Sequence, residues 1–326
     1  MTTPIARRAL LAALPAALAA PALPRAQQLT RDVRWIVGFA AGGSVDAMAR
    51  IVAAAIGPQI GRNVVVENRT GAGGFIGLQA VANSPPDGHV LAIASGFNLS
   101  VSPVLPGMTM PIDPDAELVP IGGMGRGAMV LVARPDAPFR TMADFIAHAK
   151  RPGARITCGH GGAGSSPHLM AARMAQLAGI ELDFIAYRGG APALVDLMAG
   201  RIDVYFALLP EALQHVRGGA MRGLAVATAA PHPTLPDVPV MQATLPGMVG
   251  GSWWGVAGPK GLSPEWVAWW SNQIGQCVRR PEVRARLTES LIDESDTSTA
   301  AFREEIARER RIWAEVIRTA GIRVSE

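Results

Sequence analysis

Short apolar runs alternate with segments of helical periodicity along most of the chain. Strands are predicted at 35–39, 63–67 and 89–94, and helices at 44–60 and 75–83. The apolar runs have the length and the continuous apolar character of buried strands. Such strands, separated by helices, are typical of a parallel sheet covered on both faces. The pattern therefore predicts an α/β fold.

A second series of the same kind follows an irregular stretch at 98–118 and begins with the apolar run 130–133. Further strands are predicted at 155–158, 182–187, 202–206, 221–228 and 253–257, and further helices from 141, 167, 192, 210 and 263 onward. Two helices of mixed charge, at about 281–291 and 299–320, close the chain. The charged residues of the second helix, between 302 and 311, are expected to face solvent.

Two loops share one design, in which a strand is followed by glycines and then by the N-terminus of an alanine-rich helix. The first runs from Gly38 to Ser44 and the second from Gly159 to Ser166. Glycine lets backbone N–H groups approach an anion, and a helix N-terminus adds about half a positive charge. One loop in each half of the chain predicts two domains that bind one small anion between them. Tight turns that merely require glycine are the alternative.

The glycine loops raise three enzymatic interpretations, a dinucleotide site, a serine hydrolase and a metal site. The sequence around the loops argues against each of them. Residues 159–164 match the dinucleotide fingerprint G-x-G-x-x-G, but the next strand ends without the acid that the fingerprint requires. The G-x-S-x-G elbow of serine hydrolases is absent from the sequence. Cys158, His160 and His168 are ligand types for a metal, but they lack the second pair of a zinc site. We expect no catalytic residues and no bound metal or cofactor.

The first 26 residues have the three-part layout of a secretory signal peptide. Two arginines precede an apolar run at 9–20, which is too short to span a bilayer, and small residues follow. Sec and twin-arginine export both remain open, as do cleavage after Ala26 and cleavage near 20–22. A helix that belongs to the fold is the alternative. We expect the mature protein in the periplasm.

Composition narrows the class of partner. The 326 residues carry a formal net charge of +4, but 1–26 hold three arginines and no acid, so their removal leaves +1. A nearly neutral chain lacks the basic footprint of a nucleic-acid-binding protein. Cys158 and Cys277 fall in different predicted domains, and we expect two buried thiols.

Several motifs in a fixed order resemble one family. Residues 42–46 read Gly-Gly-Ser-Val-Asp, 65–69 read Val-Val-Glu-Asn-Arg, and 86–88 read Pro-Asp-Gly. Gly-Ser-Ser-Pro-His at 164–168 and Tyr-Arg-Gly-Gly-Ala-Pro at 187–192 continue the series. Over essentially the whole mature chain, the sequence is similar to the extracytoplasmic solute-binding receptors of tripartite tricarboxylate transporters, also called the Bug or TctC family.

That resemblance implies a periplasmic-binding-protein fold of the two-crossover type (type II), in which two α/β domains close on a ligand held in the cleft between them. Domain 1 would comprise 27–128 and 229–326, and domain 2 would comprise 129–228, with crossover strands near 126–134 and 221–258. In this family the first loop and the Gly-Ser-x-x-His loop hold the ligand carboxylate. The residues carried over to the ligand site are Phe39, Gly42, Gly43, Ser44, Asp46, Ser95, Phe97, Asn98, Ala163, Gly164, Ser165, Ser166, His168, Tyr187, Arg188, Gly189, Phe206 and Ala207.

The resemblance also implies the partners and the ligand. A small carboxylate is the expected ligand, a membrane permease of the tripartite tricarboxylate type is the expected partner, and the receptor is expected to be a monomer. An exported α/β enzyme, or a carboxylate sensor without a permease, is the alternative. Ala207 stands where the family usually has Asp or Asn, and alanine offers no partner to an ammonium group. This departure predicts a ligand without an amine.

Overall fold

The computed structural model describes residues 29–187 and 189–324. The signal peptide predicted at 1–26 and the candidate site residue Arg188 lie outside the described residues. The strands are β1 (Val33–Val37), β2 (Val64–Asn68), β3 (Val90–Ser95), β4 (Leu118–Ala133), β5 (Thr157–His160), β6 (Asp183–Ala186), β7 (Val204–Leu208), β8 (Arg222–Val226), β9 (Gly251–Pro259) and β10 (Ile292–Asp293). The helices are α1 (Ser44–Ile60), α2 (Phe75–Ala82), α3 (Pro114–Glu117), α4 (Met142–Ala149), α5 (Ser166–Ala178), α6 (Gly190–Met198), α7 (Leu209–Arg217), α8 (Pro264–Val278), α9 (Pro281–Glu289) and α10 (Thr299–Ala320).

The strands follow one sheet order, β2-β1-β3-β9-β4-β7-β5-β6, and β8 and β10 also pair with β4. On the first side, β1 is parallel to β2 and β3, and β9 is antiparallel to β3. On the second side, β5 is parallel to β6 and β7, and β7 is antiparallel to β4. Each side is therefore a small parallel sheet extended by an antiparallel strand, as expected for an α/β fold.

The long strand β4 belongs to both sides. Its residues 118–128 pair with β9, whereas residues 129–133 pair with β7 and β8. The sequence predicts only the second part, because glycines interrupt the apolar pattern of the first part. Space accounts for two of these glycines, since a Cβ on Gly122 would collide with the Thr297 carbonyl oxygen and one on Gly123 would lie 2.5 Å from that of Asp296.

Helix α10 packs against both sides of the sheet. Phe302 belongs to a hydrophobic cluster of the first side that also contains Ile36. Further along the helix, Trp313 belongs to a cluster of the second side that contains Leu169 and Phe206. The C-terminal helix therefore connects the two cores, and it brings its middle turns to the region between them.

The two cysteines are buried thiols in separate clusters, as predicted. Burial raises the pKa of Cys158 to about 12 and that of Cys277 to about 11, so both thiols stay protonated near neutral pH. Within 29–187 and 189–324, no helix combines the length and the apolar character needed to cross a membrane.

Candidate ligand-binding site

A cavity of about 390 Å³ is lined by residues from both sides of the sheet. The first side contributes the loop after β1, the first turn of α1, the turn after β3 and the start of β9. The second side contributes α5 and the junction of β7 with α7, and α10 adds two residues. The lining residues are Phe39, Ala40, Ala41, Gly43, Ser44, Val45, Ser95, Gly96, Phe97, Val101, Ser166, Leu169, Leu208, Glu211, Gly251, Ser252, Trp253, Trp254, Glu309 and Trp313.

The first loop brings the N-terminus of α1 to this cavity. Gly43 is the N-cap residue, with φ −76° and ψ 167°, and the cavity lining includes Gly43, Ser44 and Val45. Because glycine has no side chain, no side-chain cap occupies the N–H groups of the first turn. These donors, together with the helix dipole, form a site that suits an anion.

Asp46 fixes the shape of the first loop and does not line the cavity. Its carboxylate accepts the Gly42 N–H at 3.0 Å, Arg50 Nε at 2.9 Å and Asn68 Nδ2 at 2.8 Å. Burial acts to raise the pKa of Asp46, but the hydrogen bonds from Arg50, Gly42 and Asn68 outweigh burial and lower it. The carboxylate is therefore ionised at neutral pH and braces the loop from behind.

The second loop brings the N-terminus of α5 to the same cavity. Ser165 is the N-cap residue, but its side chain makes no cap bond, and its buried Oγ has no partner among the described residues. Ser166 lines the cavity, and its Oγ accepts a hydrogen bond from Ser252 Oγ at 3.3 Å. The first turn of α5 thus also lacks a side-chain cap, as the first turn of α1 does.

Two stacked histidines brace the second loop. The Gly164 N–H donates to His168 Nδ1 at 3.4 Å, and the Gly162 N–H donates to His160 Nδ1 at 3.2 Å. The two ring centroids are 4.1 Å apart, with an angle of 23° between the planes. Burial lowers the pKa of both rings, and the neighbouring His160 lowers that of His168 further, to about 4. Both rings are therefore neutral at pH 7 and can accept these N–H groups.

The N–H groups of Gly42 and Gly164 are consumed within their own loops. The resemblance assigns both glycines to the ligand site, but the structure gives their donors to Asp46 and His168. A Cβ on Gly164 would also lie 2.5 Å from Leu105 Cδ2, so Leu105 packs directly over this glycine. The donors left for a ligand include the N–H groups of Ser44 and Val45 in α1 and of Ser166 in α5, whereas Pro167 has no N–H.

The turn after β3 contributes Ser95 and Phe97 to the cavity. Asn98 stands behind them and is 1% exposed. Its Oδ1 accepts the Ser95 hydroxyl at 2.7 Å, and its Nδ2 donates to the Gly73 carbonyl oxygen at 2.8 Å. Asn98 therefore positions the Ser95 hydroxyl rather than contacting the cavity.

Two carboxylates and three tryptophans complete the lining, and none of them is among the predicted site residues. Glu309 Oε2 accepts Trp253 Nε1–H at 2.6 Å and Trp313 Nε1–H at 3.2 Å. Trp254 follows on β9. Glu211 lies in the first turn of α7, where desolvation raises the pKa of its carboxyl group above the usual value.

The predicted site residues fall into three groups. The cavity lining includes Phe39, Gly43, Ser44, Ser95, Phe97 and Ser166. The residues that brace the loops are Gly42, Asp46, Asn98, Gly164 and His168. The third group lies outside the cavity lining and makes none of these bracing contacts, and it comprises Ala163, Ser165, Tyr187, Gly189, Phe206 and Ala207. The Tyr187 hydroxyl donates instead to Asp196 at 2.9 Å.

Phe206 and Ala207, which the resemblance places at the ligand site, are core residues and do not line the cavity. Both are fully buried in β7, Phe206 in a cluster with Leu169 and Ala207 in a different cluster with Val130. Successive side chains of a strand point to opposite faces, and packing covers both faces here. Leu208, at the end of the strand, lines the cavity instead. The prediction of a ligand without an amine depends on Ala207, so it loses its basis.

The sequence also predicts that the charged residues of α10 face solvent, and this is wrong for two of them. Glu305 is 9% exposed and Glu309 is 7% exposed. Glu309 falls within the stripe formed by Phe302, Ile306 and Trp313, at spacings of three and four residues. That spacing indicates the buried face of a helix, so it is a signal from which Glu309 could have been found.

No cluster of three or more His, Cys, Asp or Glu side chains suited to a metal ion occurs in the part of the chain that the structure describes.

A family model described as the tripartite tricarboxylate transporter family receptor matches residues 48–322. The chain belongs to this receptor family. Protein BugT of Bordetella pertussis is similar to the receptor, with 32% identity over 305 residues, which are 90% of each chain.

Two solved structures are similar to the receptor along nearly its whole described length. The periplasmic binding protein BugD is 29% identical, with a TM-score of 0.73, over 90% of this chain and 99% of that chain. The protein Rpa4515 of R. palustris, solved with adipate, is 30% identical, with a TM-score of 0.77, over 90% of this chain and 98% of that chain. The predicted periplasmic-binding-protein fold is therefore confirmed, and the family is one of solute-binding receptors rather than enzymes.

Proposed function

We propose that the receptor captures a small carboxylate in the 390 Å³ cavity and delivers it to a membrane permease of the tripartite tricarboxylate type. One observation carries this proposal, which is the meeting at one cavity of two helix N-termini without side-chain caps. These are the first turns of α1, after Gly43, and of α5, from Ser166. Each offers N–H donors and a partial positive charge to an anion.

The donors around the cavity are sufficient for a useful affinity. A micromolar complex requires about 8 kcal/mol, and a hydrogen bond to a charged group contributes about 1.5–3 kcal/mol. Roughly three to five such bonds are therefore enough. The two helix turns and the hydroxyls of Ser44, Ser95 and Ser166 lie around the cavity that would hold the ligand. The adipate bound by the similar protein Rpa4515 supports the same class of ligand.

Ligand binding is expected to close the two sides of the sheet on each other. The predicted domain boundary between residues 128 and 129 falls where β4 exchanges its pairing with β9 for pairing with β7 and β8. A ligand held by the N-termini of both α1 and α5 gains all of its contacts only when the two sides approach. Binding therefore favours the closed state over the open state.

The cellular role depends in part on residues outside the described ranges. The predicted signal peptide at 1–26 supports export to the periplasm by the Sec or the twin-arginine route. The partnership with a permease, the monomeric state, and the function without cofactor or metal stay predictions. An exported enzyme and a sensor without a permease are the alternatives to be tested against them.

Titration calorimetry with matched pairs tests the proposal. We expect hexanoate and 6-aminohexanoate to bind, and their primary amides, hexanamide and 6-aminohexanamide, to bind much more weakly. Equal binding of acid and amide would contradict a site for an anion. Small-angle scattering should show a smaller radius of gyration with ligand, and an unchanged profile at saturation would contradict closure. Mass spectrometry should recover the ligand unaltered, whereas a changed product would indicate an enzyme.

A further inference from the structure

Glu309 is a buried carboxylate that borders the cavity. It is 7% exposed, and it lies on α10 at the point where that helix passes between the two cores. Both indole N–H groups that reach it, from Trp253 and Trp313, donate to the same oxygen, Oε2. Among residues 29–187 and 189–324, no donor is paired with Oε1. Oε1 is not enclosed by protein atoms and Glu309 lines the cavity, so Oε1 can accept a hydrogen bond from a ligand there.

Glu309 forms no direct ion pair in the described part of the chain. Arg173 is near enough for its charge to interact with that of Glu309, but its guanidinium group donates to the Val249 and Gly247 carbonyl oxygens instead. Glu305, one turn earlier, forms ion pairs with Arg126 and Arg308, whereas none of the described ion pairs includes Glu309. The difference is one of position, because Glu309 lines the cavity and Glu305 does not. A ligand is therefore the group best placed to complete the surroundings of Glu309.

The rest of the lining favours a cation in the same space. The aromatic lining residues are Phe39, Phe97, Trp253, Trp254 and Trp313, and the faces of such rings attract ammonium groups. Glu211 adds a second carboxylate to the lining. No Lys, Arg or His is among the described lining residues, so a second carboxylate on the ligand would meet acids rather than bases.

We propose that the ligand is a carboxylate that also carries a protonated amine, and that Glu309 is the residue that selects the amine. The carboxylate occupies the helix N-termini of α1 and α5, and the ammonium group donates to Glu309 Oε1 beside the tryptophans. This inference rests on the proposed function, because it assigns the second end of the same ligand. It also reverses the expectation drawn from Ala207, since the partner for an amine comes from α10 instead of β7.

A calorimetric series with matched ends tests the inference. The probes are 4-aminobutanoate, 5-aminopentanoate and 6-aminohexanoate, each compared with the unsubstituted monocarboxylate and the dicarboxylate of equal carbon number. At the best chain length, we expect the amino compound to bind roughly tenfold to a hundredfold more tightly than the monocarboxylate, because a hydrogen bond to a charged group is gained. The dicarboxylate should bind least. Tighter binding of the dicarboxylate or of the plain acid would overturn the inference.

Two variants on α10 separate selection from folding. Glu309→Gln keeps an oxygen for the two indole N–H groups and removes the charge, so it should abolish the preference for the amino compound and strengthen binding of the dicarboxylate. Glu305→Gln is the matched control, because it changes an equally buried carboxylate that does not border the cavity. It should leave the preference unchanged. Loss of the preference in Glu305→Gln, or its survival in Glu309→Gln, would contradict the assignment.

The two proposals can fail separately. If carboxylates bind better than their amides but dicarboxylates exceed amino compounds, the carboxylate site stands and the role of Glu309 is refuted. If the amides bind as well as the acids, the carboxylate site itself is refuted. If Glu211→Gln removes the preference and Glu309→Gln does not, the amine is selected from α7, and the assignment to Glu309 is wrong.

Discussion

Gly43 offers a way to block the proposed anion site without harming the fold. It is the N-cap of α1, its backbone is extended, and the nearest atom to an added Cβ is the Ala40 carbonyl oxygen at 3.7 Å. Aspartate is among the preferred N-cap residues, and its carboxylate would accept the N–H groups of the first turn. Gly43→Asp therefore places a covalently attached carboxylate where the ligand carboxylate is proposed to bind.

The variant should change stability and affinity in opposite directions. Aspartate is better than glycine at the N-cap by a few tenths of a kcal/mol, and its charge gains about 0.3–1 kcal/mol from the helix dipole. The free energy of unfolding should therefore rise by roughly 0.5–1 kcal/mol. A ligand carboxylate about 4 Å away would be repelled by about 4 kcal/mol at an effective dielectric constant near 20. That penalty corresponds to a loss of affinity of roughly a thousandfold.

Denaturant unfolding and titration calorimetry measure the two effects on one preparation. Gly43→Asn is the control, since asparagine caps the helix equally well without adding a charge. Both side chains cap the N–H groups of the first turn, but only aspartate also repels the ligand carboxylate. We therefore expect the asparagine variant to keep more of the ligand affinity than the aspartate variant. Binding of hexanoate to Gly43→Asp at the affinity of the unchanged receptor would refute the assignment of the anion to α1.

Two further predictions concern the groups that brace the loops. Asp46→Asn should lower the free energy of unfolding by about 1–3 kcal/mol at pH 7, because it removes an acceptor shared by Gly42 and Arg50. Because the pKa of Asp46 is lowered, its carboxylate stabilises the fold above the usual carboxyl range, and this stabilisation is lost in stronger acid. In denaturant unfolding, the free energies of the variant and of the unchanged receptor should therefore converge below about pH 4. Burial lowers the pKa of His168 from 6.5 to about 4, so the unfolded chain binds a proton on this residue at a higher pH than the folded chain does. The free energy of unfolding should therefore fall by up to roughly 3 kcal/mol as the pH drops from 6.5 toward 4. His168→Gln should flatten this dependence in the same unfolding assay, and an unchanged slope would contradict the buried neutral ring.

Local periodicity predicts most of the elements but not the full length of β4. The apolar runs predict β1 and β3 because these strands are largely buried, and they predict β2, which is only half-buried, because its valines favour a strand. The first part of β4 carries no such signal, since Gly122 and Gly123 leave room for residues 296 and 297, which are far away in sequence. Those glycines are required by tertiary packing between residues that are distant in the sequence, and local sequence patterns do not reveal such contacts.

The same distinction applies to the site. The N-termini of α1 and α5 are predictable, because the glycine loop, the helix start and the bracing side chain are all encoded within a few residues. The identity of the free donors is not predictable in this way, since it depends on Asp46 and His168 claiming the N–H groups of Gly42 and Gly164. The spacing along α10 indicates that Glu309 is buried, but its place at the cavity required the fold itself, because α10 joins the cavity only after the whole chain has assembled.

The two loops solve one electrostatic problem in two ways. Each ties a glycine N–H to a side chain four residues later, Gly42 to Asp46 and Gly164 to His168, and each leaves the following helix turn without a side-chain cap. A bracing carboxylate beside an anion site would weaken binding unless its charge were balanced, and Arg50 balances Asp46 at 2.9 Å. In the second loop the brace is an imidazole that burial keeps neutral. The two carboxylates of the cavity lining, Glu211 and Glu309, form no ion pair among the described residues, and they lie on α7 and α10 rather than on either loop. This separation of charge within one cavity suits a ligand that is negative at one end and positive at the other.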